Sequence, residues 1–328
     1  MTHVVAVIVN FNSGSLLGPA LDRLPAQAVS STLVVDNASH DLSWQDCLGR
    51  KEVRLERLES NRGFAGAMNH ALAITNEPYV LLLNADVEMQ ADYVLRLAKA
   101  LDANPKVAGA TGTLVLPDGR IDSTGITLTT ARCAVDRQRG RELAADSGNI
   151  PPAEAMGEPF GVSGAAALFR RSALAQVGPL WEELFVYWED TELAWRLRRA
   201  GWRFAHVPEA RATHARGADS ADPTFVEAAD FGGRLATIAR HEGWPGLLRP
   251  SALLATLVTG ARLAMRHRAA FRTSRPTERI RAGLEAGLAD RALGLGRTPR
   301  LAPHPWGPWL TAQLTGRRRG LGALPPST

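Results

Sequence analysis

Three apolar runs, each closed by an Asn or an Asp, constrain this chain more than any other feature of its sequence. The first, Val4–Asn10, begins almost at once and gives way to Phe11-Asn12-Ser13-Gly14, a strand followed by a loop. The second is Leu33-Val34-Val35-Asp36-Asn37 and the third Tyr79-Val80-Leu81-Leu82-Leu83-Asn84. Helical patterns separate them, one starting near Leu16 and one running from about Ala65 to Ile74. Short runs with no polar alternation belong to strands covered on both faces, and strands alternating with helices predict an α/β fold with a mainly parallel central sheet. Such sheets take their ligands at the carboxyl ends of the strands, where these runs place their Asn and Asp residues.

Past Pro105 the pattern shortens. Val107–Val115 and Ile121–Thr129 read as strands, 130–159 is a polar Gly/Pro-punctuated insertion without an assignment, and Ser163–Phe169 is again apolar. Glu189–Ala200 reads as a helix with Leu193, Leu197 and Ala200 on one face and Gly201 closing it. A last helix over Pro250–Met265 sets Leu254, Leu257, Val258, Ala261 and Met265 on one side. Its 12 uncharged residues between Arg249 and Arg262 fall short of the roughly 20 needed to cross a membrane, so it lies on a membrane or packs on the domain. From Pro303 onward the Pro, Gly and Arg content predicts a loose end.

Charge divides the chain of 328 residues, whose length suggests about two domains at roughly 150 residues each. Residues 1–230 hold 22 Lys and Arg against 29 Asp and Glu, whereas 231–328 hold 16 arginines against 4 acids. A mildly acidic body with a basic tail implies a polyanionic partner, an anionic membrane or a nucleic acid. Only 3 of the 38 basic residues are lysine, a bias that fits genomic composition better than phosphate recognition. Two cysteines, Cys47 and Cys133, exclude a disulfide framework and a cysteine-built zinc site, and fit a reducing compartment. The N-terminus lacks the basic start and cleavage site of a signal peptide.

Several residues suit chemistry, and each also has an ordinary explanation. Asp86, in Asn84-Ala85-Asp86, suits a hard divalent ion shared with a diphosphate, though acids at strand ends are common. Asp36 suits a ribose or base contact, or simply caps its turn. Glu189, Asp190 and Glu192 follow the aromatic run Phe185-Val186-Tyr187-Trp188, so a base in an apolar pocket and a well-started helix are both consistent. His214 follows a strand-like segment, where a lone histidine is usually structural.

Order and spacing make these pieces specific. The chain resembles the family-2 glycosyltransferases, within them the bacterial rhamnosyltransferase-like branch, and over 160–220 its actinobacterial members acting on polyprenyl-diphosphate-GlcNAc. The resemblance rests on Val7–Asn12, Val34–Ser39, Asn61–Asn69, Leu81–Val87, Val162–Arg171, Tyr187–Leu193 and His214–Gly217, and covers roughly residues 4–220. It implies a GT-A fold over 1–225, with a nucleotide-binding half to about 105 and an acceptor half over 106–225. A helical basic extension over 226–302 and a flexible tail over 303–328 would follow. It also implies a nucleotide-sugar donor, dTDP-rhamnose as first choice, and inversion at the anomeric carbon.

By the same resemblance Asp36 contacts the nucleotide, with Asn10, Asn61, Gly63, Asn69 and Asn84 on the donor side. Asp86 and His214 hold a divalent cation, Mn²⁺ or Mg²⁺; Asp190 is the base beside Glu189; and Ser163, Gly164 and Trp188 line the sugar pocket. Asn84 stands where a strict DXD has its first acid, and Glu192 where Asp is frequent. The implied acceptor is lipid-linked or a glycan, reached from the cytoplasm by a peripheral protein on the anionic inner face of the cell membrane. Nucleic acid is not an implied partner, and a homo-oligomer stays open.

Two rival readings fit the sequence less well. A nicotinamide dehydrogenase lacks its Gly-x-Gly-x-x-Gly after the first strand. A non-catalytic nucleotide- or nucleic-acid-binding protein with an Arg-rich tail explains the charge split but not the acids at the strand ends.

Overall fold

The computed structural model describes residues 3–24, 28–143, 157–216, 222–268, 274–292 and 301–304, with 272, 295, 307, 309, 310 and 313 besides. Strands β1 (Val4–Asn10), β2 (Ser31–Asp36), β3 (Val53–Arg57) and β4 (Tyr79–Leu83) pair in parallel in the order β3-β2-β1-β4. Helices α1 (Leu17–Arg23) and α2 (Gly63–Ala73) make the crossovers. Alternation along β1 divides the core. Val4, Ala6 and Ile8 pack with Leu17 and Leu21 of α1 and with Tyr93, Leu97 and Leu101 of α3 (Tyr93–Ala103). Val5 and Val7 pack on the other side with Ala65 and Met68 of α2. Both faces are buried, as unbroken apolar runs require.

Beyond β4 the sheet is mixed. β5 (Val87–Met89), β6 (Val107–Val115), β10 (Ala166–Arg170) and β11 (Arg203–His214) extend it in the order β4-β10-β6-β11-β5. β10 runs antiparallel to both β4 and β6, and β11 runs parallel to β6 and antiparallel to β5. The strand expected over 121–129 is two pieces, β7 (Ile121–Ser123) and β8 (Ile126–Leu128), because Gly125 turns the chain at φ +108. The apolar run at 163–169 becomes a strand only from Ala166, residues 163–165 forming a loop. Part of the unassigned insertion forms β9 (Ala134–Asp136), a hairpin partner of β8; residues 144–156, Gly217 and most of the tail lie outside the described residues.

Helices α4 (Arg171–Val177) and α5 (Glu189–Arg199) precede β11. The extension is α6 (Pro223–Leu247), interrupted at Gly243, then α7 (Pro250–Arg266) and α8 (Pro276–Ala292). Two of its arginines are structural. Arg234 donates to the carbonyls of Ala131, Arg132 and Ala252, and Arg240 pairs with Glu192 of α5 and Asp290 of α8. The basic excess is therefore partly spent on fastening the extension to the core. No helix among the described residues is long and apolar enough to cross a membrane.

Candidate active site

Topology brings the distant segments to one edge of the sheet. β1 and β4 are parallel, so Asn10 and Asn84 emerge together; β10 runs the other way, so the loop 163–165 starts at that same edge. The Asn84 amide donates to Ala165 O at 2.9 Å. His214, last in β11, lies opposite Val87 in register, which sets it beside Asp86, and Ala215 N donates to Asp86 O at 3.0 Å.

On this edge His214 Nε2 is 3.5 Å from Asp86 Oδ1, and its Nδ1 is 2.7 Å from Asp122 Oδ2. Asp122, fully buried on β7, also takes Arg216 Nε at 2.9 Å. A carboxylate on one imidazole nitrogen fixes the tautomer and aims the other nitrogen, the usual support for a histidine that binds a metal. Without a cation, burial opposes protonation of His214, but its bonds to Asp122 and Asp86 outweigh burial and push it up to about 9, so a cation binding at Nε2 would have to displace that proton. Two protein ligands, one oxygen and one imidazole, fit a divalent ion that fills its shell from a diphosphate. The sequence pointed to Asp86 and His214 but not to Asp122, whose only signal is an acid inside an apolar strand.

The base candidates sit across the loop 163–165. Gly164 N donates to Asp190 Oδ2 at 3.4 Å, and Thr191 N to Asp190 Oδ1 at 2.6 Å. Glu189 Oε2 has no hydrogen-bond partner among the described residues. Both carboxyls are raised. Burial dominates in each, the charge of Asp190 adds to the rise at Glu189, and that of Asp136 adds to the rise at Asp190. The backbone amides of Gly164 and Thr191 favour the charged form of Asp190, whereas Glu189 Oε2 has no such donor, an asymmetry that suits a division of roles between adjacent carboxyls. Glu192 goes the opposite way. Fully buried, it would be raised by burial, but Arg196, Arg240 and His241 hold it well below the usual carboxylate range. It is a structural anion.

The backbone before the base is strained. Phe185, Tyr187 and Trp188 have φ of +63, +65 and +74, a region L-residues avoid. Three contacts hold them there. Gly63, itself at φ +69, lies where a Cβ would come 2.3 Å from Phe185 O. Trp188 Nε1 donates to Asp230 Oδ1 of α6 at 2.9 Å. Asn69 brackets the approach to the loop, donating to Leu180 O and Glu182 Oε1, each at 2.9 Å, and accepting from Leu180 N at 2.8 Å.

The remaining sequence candidates are brought nearby in supporting positions. Asn10 and Asp36 are fully buried, joined at 2.8 Å, and Asp36 also takes Arg57 Nε at 3.1 Å and Ser39 N at 3.3 Å. Asn61 accepts from Asn37 and from Gly63 N, both at 2.8 Å, and so shapes the start of α2. Asn84 is partly buried beside Asp86; Gly164 bonds Asp190, and Ser163 precedes it in the same loop, its hydroxyl accepting from Ala165 N; Trp188 is a buried wall.

A family model described as glycosyl transferase family 2 matches residues 5–178. The chain belongs to that family. It is 30% identical over 274 residues to an N-acetylglucosaminyl-diphospho-decaprenol L-rhamnosyltransferase of Mycobacterium tuberculosis, covering 74% of this chain and 87% of the relative. It is 29% identical to the galactofuranosyltransferase GlfT1 of the same organism, over 67% of this chain and 72% of the relative. Among solved structures, GalNAc-T7 with UDP, GalNAc and Mn²⁺ superposes with a TM-score of 0.64 at 11% identity, over 90% of this chain and 55% of that one. The likeness confirms the GT-A fold expected from sequence. This glycosyltransferase is therefore an enzyme, and the reading as a non-catalytic binder falls away.

Proposed function

We propose that this glycosyltransferase moves L-rhamnose from dTDP-rhamnose to a lipid-linked GlcNAc-type acceptor in cell-envelope synthesis, by a single inverting displacement. The choice of sugar and acceptor follows the mycobacterial relative, whose name gives both the rhamnosyl group and the diphospho-decaprenol acceptor. The observation that carries the mechanism is the arrangement around 163–165, with Asp86 and His214 on one side and Asp190 on the other.

Asp86 and His214 would hold the cation, with Asp122 fixing the histidine and the donor diphosphate supplying further oxygens. When bound, that cation offsets the charge of the departing diphosphate. Asp190, its charged form favoured by the amides of Gly164 and Thr191, accepts the proton of the attacking acceptor hydroxyl. Tyr187 and Trp188 shield the reacting centre from water. Asn10, Asp36, Asn37 and Asn61 hold the donor loops in shape rather than reaching outward, and Asp36 sits at the base of the nucleotide site.

The exposed face of α7 supports peripheral membrane docking. Leu254, Leu257 and Met265 are 48%, 60% and 80% exposed, and Trp244 and Leu248 just before α7 are also bare. Arg249, Arg266 and Arg268 flank this face, so an anionic cytoplasmic leaflet is the matching surface.

The test has two arms. Nucleoside diphosphate with Mn²⁺ should raise the melting temperature, chelator should abolish both that rise and transfer, and Asp86→Ala should lose both. Asp122→Asn should weaken Mn²⁺ binding by about 10–100-fold, the worth of an outer-shell partner. Co-sedimentation should require anionic liposomes and weaken with salt. Full transfer in excess chelator, or equal binding to neutral liposomes, would reject the corresponding half.

A further inference from the structure

Beside the strained loop lies a cavity of about 290 Å³ that the reaction described above leaves unused. Tyr187 and Trp188, immediately before the base, form one wall. The extension forms the other, with Glu227 and Asp230 of α6, Arg262 of α7, and Trp309. Asp136, Arg139 and Arg216 close the end toward His214, while Asn10, Asp36, Asn84 and Asp86 take no part in the lining. Asp190 itself does not line it, so the cavity lies behind Tyr187 and Trp188, the residues that lead into the base, and away from the donor loops.

Its chemistry is selective. Four arginines reach it, and each is already tied. Arg139 pairs with Asp136, Arg216 with Asp122 and Arg262 with Glu227, and Arg234 is held by backbone carbonyls. A bare anion would find no unclaimed cation among them. What remains is a set of aromatic faces beside planar carboxylate and guanidinium groups. An apolar ring face with a hydroxylated edge matches both, since C–H faces pack on aromatic rings and hydroxyls bridge charged planar groups. Arg262 Nη2 binds Glu227 Oε1 at 2.6 Å, a charged pair set in the cavity wall. The volume suits a single sugar ring, at the lower end of the roughly 300–1,000 Å³ of small-molecule sites.

We infer that this cavity seats the acceptor sugar, and that Glu227, Asp230 and Arg262, beyond the 5–178 span of the family model, select it. The inference rests on the transferase reading and deepens it, because the basic extension then completes the acceptor site as well as meeting the membrane. α7 serves both purposes, presenting Thr259, Arg262 and Leu263 to the cavity and Leu254, Leu257 and Met265 outward.

The test uses the full chain and N-acetylglucosaminyl-diphospho-farnesol as acceptor probe. Arg262→Gln is compared with the double variant Glu227→Gln/Arg262→Gln, which strands no buried charge and keeps the fold assayable by melting. Both should raise the acceptor KM about tenfold or more, the cost of a charged hydrogen bond, while donor affinity stays within about twofold. An unchanged acceptor KM in the double variant, or an equal loss of donor affinity, overturns the inference. A parent protein that binds no nucleotide sugar overturns the transferase reading and this inference together.

Discussion

The two acidic centres on the sheet edge are built in opposite ways. Around Asp36 every contact is closed: the side chain is fully buried and bonded to Asn10, Arg57 and the Ser39 amide. Around Asp190 no cationic side chain among the described residues closes the site: it accepts only from Gly164 N at 3.4 Å and from Thr191 N and Oγ1 at 2.6 and 3.2 Å, an unpartnered Glu189 oxygen lies next to it in the chain, and three residues at positive φ stand just upstream. A saturated network fixes loop shape and contributes stability. An unsaturated one costs stability and leaves a carboxylate able to accept a proton, so strain and raised pKa gather where reactivity is needed.

The sharpest test of this contrast is Asp190→Asn. The amide keeps the shape and the Gly164 contact but cannot take the proton, so kcat should fall by about 10²–10⁴-fold with donor affinity and melting temperature unchanged. The product anomer, read by NMR, should be opposite to the donor's. Near-normal turnover would move the base elsewhere.

Glu192, two residues further along α5, tests the other side. It is bound by Arg196, Arg240 and His241, and through Arg240 to Asp290 of α8. Glu192→Gln should cost about 3–5 kcal/mol, as when one partner of a buried pair is removed. It should free the extension from the core without changing the chemistry of Asp190. Chemical denaturation measures the first effect, and turnover of the remaining folded protein the second. A loss of turnover with full stability would place Glu192 in the reaction.

What the sequence made legible follows from how local each signal is. The runs at Val4–Asn10, Ser31–Asp36 and Tyr79–Leu83 announce themselves because both faces of each strand are covered. β3 does not, since Val53-Arg54-Leu55-Glu56-Arg57 is an edge strand whose charges blur the pattern. The antiparallel insertion of β10 between β4 and β6 was hidden too, because register between distant segments leaves no local trace. The same holds for the site. Asp86, Asp190 and His214 stand at element ends, where chemistry is expected. Asp122 and Asp230 acquire their roles only by meeting His214 and Trp188, 92 and 42 residues away along the chain.

The smallest effect is one of pH, and its sign separates the two kinds of carboxylate. Asp190 is raised by burial and then by the charge of Asp136, so it loses its working form as pH falls through a value above the ordinary aspartate value of about 3.9. The acid limb of kcat/KM should therefore lie above that value. Asp136→Asn removes a nearby negative charge, makes Asp190 easier to ionise, and should move the limb to lower pH. Stability runs the opposite way at Glu192. Its folded value is depressed, so its contribution is complete above the unfolded glutamate value of about 4.3 and drains away as pH falls below it. The raised pair Glu189 and Asp190 binds protons more tightly when folded, so it gains stability over the window in which Asp190 loses activity. Paired pH profiles of kcat/KM and of unfolding free energy, in the parent and in Asp136→Asn, measure both signs. A limb that stays put, or moves upward, in Asp136→Asn would mean that the titrating group is not Asp190.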